Sequence, residues 1–298
     1  MNYHVLGKST LEISEIGFGC MSLGTDDHVN SILINRALDL GINFFDTADI
    51  YQDGLNETTL GNTLKHKRDN VIIATKAGNQ RRKDGSGLDW NPRKEHILSA
   101  AEESLKRLQT DYIDLYQLHG GTMEDPIDET IEAFEILQVQ GKIRYYGISS
   151  IRPNVIREYI NRSNIVSVMM QYGLLDRRPE ETCLTLLHKH SIGVLARGSL
   201  AKGLVVDKPA TVFLQYNEQE VKRAADTIRS FSGDDRSPSQ TALRFALNHP
   251  AITAAIVGLR TRTQLEDVVK TVDSPGLTVK ELQALSDSIA VNYYDLHR

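Results

Sequence analysis

Four ionisable side chains stand at or just past the ends of three successive apolar runs. Asp46 follows Ile42-Asn43-Phe44-Phe45, and Tyr51 lies in the loop that begins there. Lys76 ends Val71-Ile72-Ile73-Ala74-Thr75, and His119 ends Tyr112-Ile113-Asp114-Leu115-Tyr116-Gln117-Leu118. A free phenol titrates near ~10, so Tyr51 needs help to act as an acid at neutral pH. A neighbouring ammonium favours the phenolate and lowers that value, and a buried carboxylate keeps the ammonium charged and in place. Asp46, Tyr51 and Lys76 supply those three parts. His119 can donate an N–H to an oxygen on which negative charge develops. The set contains no nucleophile paired with a base and no metal-ligand spacing, so no metal is expected. What fits is proton donation to a carbonyl that receives a hydride from elsewhere, and a hydride requires a cofactor.

Each residue also has a plainer reading. Asp46 and Lys76 could form a structural ion pair, and a lone strand-end His119 could be a satisfied core histidine. Asp114, charged within a strand, reads as a structural hydrogen-bonding group. It is the convergence of four residues on one end of successive strands that argues for a site.

The elements that must deliver them alternate from residue 13 onward. Strand candidates are Ile13–Cys20, Asn43–Ala48, Val71–Lys76, Tyr112–His119, Ile143–Ser149, Val166–Tyr172, Ile192–Gly198 and Ile252–Gly258. They are rich in Val, Ile, Phe and Tyr and nearly continuous, as strands buried on both faces should be. Between them Ile97, Ala101, Leu105 and Leu108 share one helical stripe, and Ile127, Ile131, Phe134 and Leu137 another. Pro92, Pro126 and Pro153 sit near helix starts, where a missing N–H costs nothing. About eight βα units predict an α/β fold, a (β/α)8 TIM barrel, whose strands all present their carboxyl ends to one mouth. An open doubly wound sheet would want Gly-x-Gly-x-x-Gly, and Gly17-Phe18-Gly19-Cys20-Met21-Ser22 breaks that pattern at its last glycine. Residues 3 to 10 predict a short N-terminal hairpin closing the bottom, and Leu277 to Leu296 a final helix outside the barrel. Lys202 to Asn217 shows no periodicity and is the length of a functional lid. No linker divides the chain, so residues 1 to 298 read as a single domain.

The chain resembles an aldo-keto reductase over nearly its whole length. The motifs that carry the resemblance are Gly17-Phe18-Gly19-Cys20-Met21, then Gly41-Ile42-Asn43-Phe44-Phe45-Asp46-Thr47-Ala48 leading to Tyr51. They continue with Ala74-Thr75-Lys76, Asp114-Leu115-Tyr116-Gln117-Leu118-His119 and Gly147-Ile148-Ser149-Ser150. The resemblance implies a barrel that binds NADP(H) without a Rossmann domain, with Asp46, Tyr51, Lys76 and His119 as the catalytic tetrad and Tyr51 as proton donor. It also implies that Ser149 and Gln171 hold the nicotinamide carboxamide and that Gly19, Cys20 and Met21 border the ring and ribose. Arg197-Gly198-Ser199-Leu200-Ala201-Lys202-Gly203 resembles the pyrophosphate-binding loop, where backbone N–H groups approach phosphate. Gly258-Leu259-Arg260-Thr261-Arg262-Thr263-Gln264 and Asp267 resemble the segment that receives the adenosine 2′-phosphate.

Three departures stand out. Arg197 occupies the place where many relatives stack an aromatic ring on the nicotinamide; a guanidinium plane can stack too but adds positive charge. Val257 and Val268 replace a usual Pro and Asn, which leaves Arg260, with Arg262, to pair with a 2′-phosphate. His119 is followed by Gly120-Gly121-Thr122 rather than an aromatic residue, opening the mouth. Trp90, the only tryptophan, lies in the loop after the third strand as a substrate-pocket candidate, with loop packing as its alternative.

The favoured activity is NADPH-dependent reduction of small aldehydes or ketones. A nicotinamide-binding regulatory subunit of the same fold is the alternative. A Schiff-base lyase using Lys76 is opposed by Asp46, since an imine-forming amine must be neutral. A short-chain reductase is excluded because no Tyr has a Lys four positions later. The formal net charge of -5 with scattered basic residues argues against nucleic acid as a partner. Gln80-Arg81-Arg82-Lys83 reads as a solvated loop. Two cysteines, Cys20 and Cys183, have no zinc or CxxC spacing and read as buried thiols. With no 18-residue apolar stretch and a polar start, no membrane partner is expected, and the cytoplasm is the expected compartment.

Overall fold

Eight of the apolar runs pair side by side in parallel and close on themselves. The computed structural model describes residues 1–298. In chain order the strands are β1 Tyr3–Val5, β2 Glu12–Ser14, β3 Ile16–Gly19, β4 Phe44–Asp46, β5 Ile72–Ala77, β6 Asn79–Arg81, β7 Leu88–Trp90, β8 Ile113–Leu118, β9 Ile143–Ser149, β10 Ser167–Gln171, β11 Gly193–Arg197 and β12 Ile252–Gly258. The barrel runs β3-β4-β5-β8-β9-β10-β11-β12, with β12 returning to β3. Its outer ring is α1 Asp27–Asp39, α2 Leu55–Leu64, α3 Lys94–Leu108, α4 Ile127–Val139, α5 Pro153–Arg162, α6 Cys183–Lys189, α7 Glu218–Ser230, α8 Pro238–Leu247, α9 Arg262–Val269 and α10 Val279–Asp287. This is the expected (β/α)8 barrel.

Strand alternation divides the core in two. Phe44, Ala74, Leu115, Met169 and Leu195 fill the barrel interior. Phe45, Ile73, Tyr116 and Leu118, one residue out of step, face the helices in a larger cluster. Burial on both faces is why these runs read as continuous rather than alternating.

The bottom is closed by the β1–β2 hairpin, paired Tyr3↔Ser14, His4↔Ile13 and Val5↔Glu12. Leu6, Leu11 and Ile13 enter the interior cluster. Gly7, at φ +56°, presses so closely on the starts of β10 and β11 that a Cβ would stand 2.2 Å from Val166 O and 2.7 Å from Gly193 N. The hairpin therefore extends to residue 14, and the expected Ile13–Cys20 strand is broken. The break falls at buried Glu15, a corner whose carboxylate accepts from Asn2 Nδ2 at 3.0 Å.

Two further differences concern ends and loops. The last helix stops at Asp287, well short of Leu296, because the tail is drawn into tertiary contacts. There Asn292 Oδ1 accepts the Arg177 N–H at 2.9 Å, and Tyr294 is buried under the Arg178 guanidinium. The loop after β5 forms the unanticipated hairpin β6–β7, which keeps Gln80 to Lys83 exposed and ends on Trp90. No helix is long and apolar enough to cross a membrane.

Candidate active site

Strand alternation sends Asp46, Lys76 and Gln117 inward, two residues beyond the interior residues Phe44, Ala74 and Leu115. Lys76 Nζ donates to Asp46 Oδ2 at 2.7 Å and to Thr47 O at 2.6 Å. Gln117, register partner of Lys76, donates to Asp46 Oδ1 at 3.4 Å. Burial alone would lower the Lys76 ammonium, but Asp46 and then Tyr51 more than offset it, so the amine is held charged. Burial pushes the Asp46 carboxyl upward, against the pull of Lys76.

Tyr51 opens a short 3-10 turn, Tyr51–Gly54. Gln52 and Asp53 are left-handed there, at φ 49° and 61°, and Gly54 follows at φ 85°. Non-glycine residues in this region cost roughly 1–3 kcal/mol each and persist only where the surroundings enforce them. Gln52 Nε2 donates to Leu23 O at 2.6 Å, Arg81 pairs with Asp53, and Arg81 Nη2 donates to Ile50 O at 3.1 Å. Lys76 Nζ lies 5.1 Å from the centre of the Tyr51 ring. The His119 ring meets Tyr51 edge-on, with centroids 5.8 Å apart. The four residues thus gather as expected, with one electrostatic difference. Burial raises the Tyr51 phenol by more than Lys76 lowers it. Burial, with Lys76 and Arg197, pushes His119 down to about 3, so the ring is neutral at pH 7.

Asp114 is structural. It is fully buried and accepts from Arg68 Nη2 at 2.6 Å, Ile73 N at 2.9 Å and Arg144 Nη1 at 3.1 Å.

A polar cluster at a barrel mouth does not name a family, but the whole chain does. The sequence profile of the Aldo/keto reductase family matches residues 15–290. The chain belongs to this family. It is 46% identical to the uncharacterized oxidoreductase YqkF of Bacillus subtilis, over all of both chains. Aldo-keto reductase yakc [NADP(+)] of Schizosaccharomyces pombe is 31% identical, over 67% of this chain and 61% of that one. The solved holo form of aldo-keto reductase AKR11C1 from Bacillus halodurans superposes with a TM-score of 0.94 at 47% identity, over 100% and 99% of the two chains. This aldo-keto reductase is accordingly an oxidoreductase, in a family that depends on a nicotinamide cofactor.

Residues that could hold such a cofactor ring the same mouth. Gly19 and Gly258 are register partners at the ends of β3 and β12, and a Cβ on Gly258 would stand 2.2 Å from Ser22 Oγ. Cys20 is buried and Met21 exposed beside them. Ser149 ends β9 and Gln171 ends β10, both half-buried. Arg197, exposed at the end of β11, donates to Gln171 Oε1 at 3.2 Å. Gly198, Ala201, Lys202 and Gly203 all have positive φ. Within that turn Ala201 N–H bonds Gly198 O and Gly203 N–H bonds Leu200 O, while the Ser199 and Leu200 amides bond no backbone carbonyl. Such a concave run of backbone suits an anion. Around α9, Arg260 is exposed, Arg262 is held by Glu266 at 2.8 Å, and Gln264 Oε1 accepts the Arg260 N–H. Asp267 faces inward instead, accepting Gln240 Nε2 at 3.0 Å. Asp267 apart, the set fits a nicotinamide dinucleotide.

Three residues around the site, Asn56, Asp49 and Asp125, belong to no motif of the sequence. Asn56 bridges the Thr47 hydroxyl and Cys20 O, both at 2.7 Å. Asp49 bonds Lys76 O through its N–H at 3.2 Å and leaves Oδ1 buried without a partner. Trp90 Nε1 donates to Asp125 Oδ1 at 2.8 Å. Only the side-chain chemistry of Asp49 and Asp125, close in sequence to Tyr51 and His119, could have drawn attention to them.

Proposed function

We propose that this aldo-keto reductase is an NADP(H)-dependent carbonyl reductase, converting small aldehydes or ketones to alcohols, with residues 1–298 acting as one barrel unit. The observation that carries the reading is the buried Lys76–Asp46 pair beside Tyr51, faced by a neutral His119. When bound, the nicotinamide supplies the hydride. Tyr51 gives its proton to the oxygen that becomes the alcohol. Lys76 stabilises the phenolate left behind, and Asp46 keeps Lys76 charged. His119, being neutral, donates a ring N–H to the carbonyl oxygen and so favours the build-up of negative charge there.

Ser149 and Gln171 would take the carboxamide, Arg197 the ring face, and Gly19, Cys20 and Met21 the ribose side. The Gly198 to Gly203 loop, with Ser199, Leu200 and Lys202, would take the pyrophosphate. Gly258, Arg260 and Gln264 would surround the adenosine end, Arg260 meeting the 2′-phosphate. The NADP(+) in the name of the S. pombe relative supports that choice of cofactor. Two free buried cysteines suit a reducing compartment, and we place the protein in the cytoplasm.

The test is NADPH oxidation against a panel of aldehydes, ketones and quinones. Turnover of at least one carbonyl class is expected. Tight NADPH binding with no turnover across the panel would replace this reading with that of a nicotinamide-binding subunit.

A further inference from the structure

The turn that carries His119 has little of its own to hold it. Gly120 and Gly121 follow directly, at φ +150° and +126°. Glycine loses more conformational freedom on folding than any other residue, so such a pair must be fixed from outside. The imidazole is not anchored either, because His119 Nδ1 is buried and bonds to nothing. A functional histidine is usually oriented by the hydrogen bond its second nitrogen makes. Here the direction of the ring depends on its backbone and on the edge contact with Tyr51.

Trp90 supplies the missing support. Its ring lies so close to the backbone that a Cβ on Gly120 would stand 3.1 Å from the indole and one on Gly78 2.8 Å from it. The indole therefore rests on the residues just beyond the ends of β5 and β8, the strands that deliver Lys76 and His119. Asn91 N–H bonds Gly78 O at 2.7 Å and closes the base of the β6–β7 hairpin. On the far side one carboxylate ties the parts together. Asp125 Oδ1 accepts the Trp90 indole N–H at 2.8 Å, and its Oδ2 accepts the Thr122 N–H at 2.7 Å. The Thr122 hydroxyl donates to Oδ1 at 2.8 Å, and Arg152 Nη1 donates to Gly121 O at 2.8 Å.

We propose that Trp90 and Asp125 are positioning residues for His119. Asp125 holds the indole against Gly120, and the indole holds the glycine turn that aims the imidazole. The inference rests on the role given to His119 above, so its test includes a readout that needs no turnover.

Asp125→Ala removes the clamp, Trp90→Phe keeps an aromatic ring but loses the indole N–H, and Asp125→Asn retains an acceptor oxygen. Histidine-labelled protein is followed by NMR, with the His119 imidazole signals identified by their loss in His119→Asn. Those signals should move in Asp125→Ala and in Trp90→Phe and return towards the wild type in Asp125→Asn. Emission from the sole tryptophan should shift to longer wavelength in Asp125→Ala. Small displacements of a reacting group cost up to ~10²-fold, so kcat should fall between about tenfold and about a hundredfold in Asp125→Ala, with NADPH affinity unchanged. Unmoved His119 signals in both clamp variants would overturn the proposal and leave Trp90 as loop packing. Moved signals in a protein whose wild type reduces no carbonyl would support the clamp and refute the proposed reaction instead.

Discussion

Lys76 and Asp46 are bound to one another at 2.7 Å inside the barrel mouth, where they are 1% and 4% exposed. Removing one member leaves the other charge buried and unpaired, at a cost of about 3–5 kcal/mol. Asp46→Asn and Lys76→Met should each lower the urea-unfolding free energy by about that amount. The double variant should lose much less than the sum, since no orphaned charge remains. Additive losses would show that the two charges are not coupled.

Tyr51→Phe keeps the ring that faces His119 and deletes only the hydroxyl. General acid catalysis contributes ~10²–10⁴ in rate, so kcat should fall by at least that order with NADPH affinity preserved. Lys76→Met acts on the same proton, and the Tyr51→Phe/Lys76→Met enzyme should be little slower than either single variant. Retained turnover in Tyr51→Phe with an unchanged pH profile would pass the acid role to His119.

Two buried groups bend the pH dependence of stability in opposite directions. His119 is pushed down to about 3 from 6.5, so between those values the unfolded chain holds a proton that the folded chain does not. Stability from this group rises with pH across that window. Asp49 is pushed up to about 7 from 3.8, by burial and then by Glu57, so the folded chain holds the extra proton there. Stability from Asp49 falls as pH rises to 7. Each slope reaches at most about 1.4 kcal/mol per pH unit, and between pH 4 and 6.5 they oppose. Urea titrations across this range should show falling stability with pH in His119→Asn and rising stability in Asp49→Asn. Identical profiles for the two variants would refute the assignment.

Cofactor selectivity should reside in Arg260. Arg262 and Arg36 share Glu266, at 2.8 and 3.0 Å, whereas the Arg260 side chain is exposed to solvent. A hydrogen bond to a charged group is worth about 1.5–3 kcal/mol. Arg260→Ala should therefore weaken NADPH by roughly tenfold to a hundredfold while sparing NADH, and Arg262→Ala should do less. Fluorescence titration with both cofactors checks this; equal losses for NADPH and NADH would place the 2′-phosphate elsewhere.

What the chain discloses in advance follows from how local each signal is. β5 and β8 are legible because burial on both faces makes their sequences continuously apolar, and the residues at their ends stand out as polar. Asp46, Lys76 and His119 are found in that way. Tyr51 is found through its neighbours, but its strained turn is not. The left-handed Gln52 and Asp53 are imposed by Leu23 and Arg81, which lie some thirty positions away in opposite directions. Trp90 and Asp125 are likewise 35 positions apart, and only the folded loops join them. The last helix is overextended for the same reason, because Asn292 is claimed by Arg177 across 115 residues. The Tyr51 phenol is misjudged from sequence because residue types report the ammonium beside it but not how much water is lost.

The hairpin plug of Leu6, Leu11 and Ile13 lies beneath a barrel already filled by Phe44, Ala74, Leu115, Met169 and Leu195, so no passage runs from floor to mouth. Whatever reacts beside Lys76 comes in and goes out on one side. A substitution in the plug should therefore reach the chemistry through the stability of the barrel, not through access.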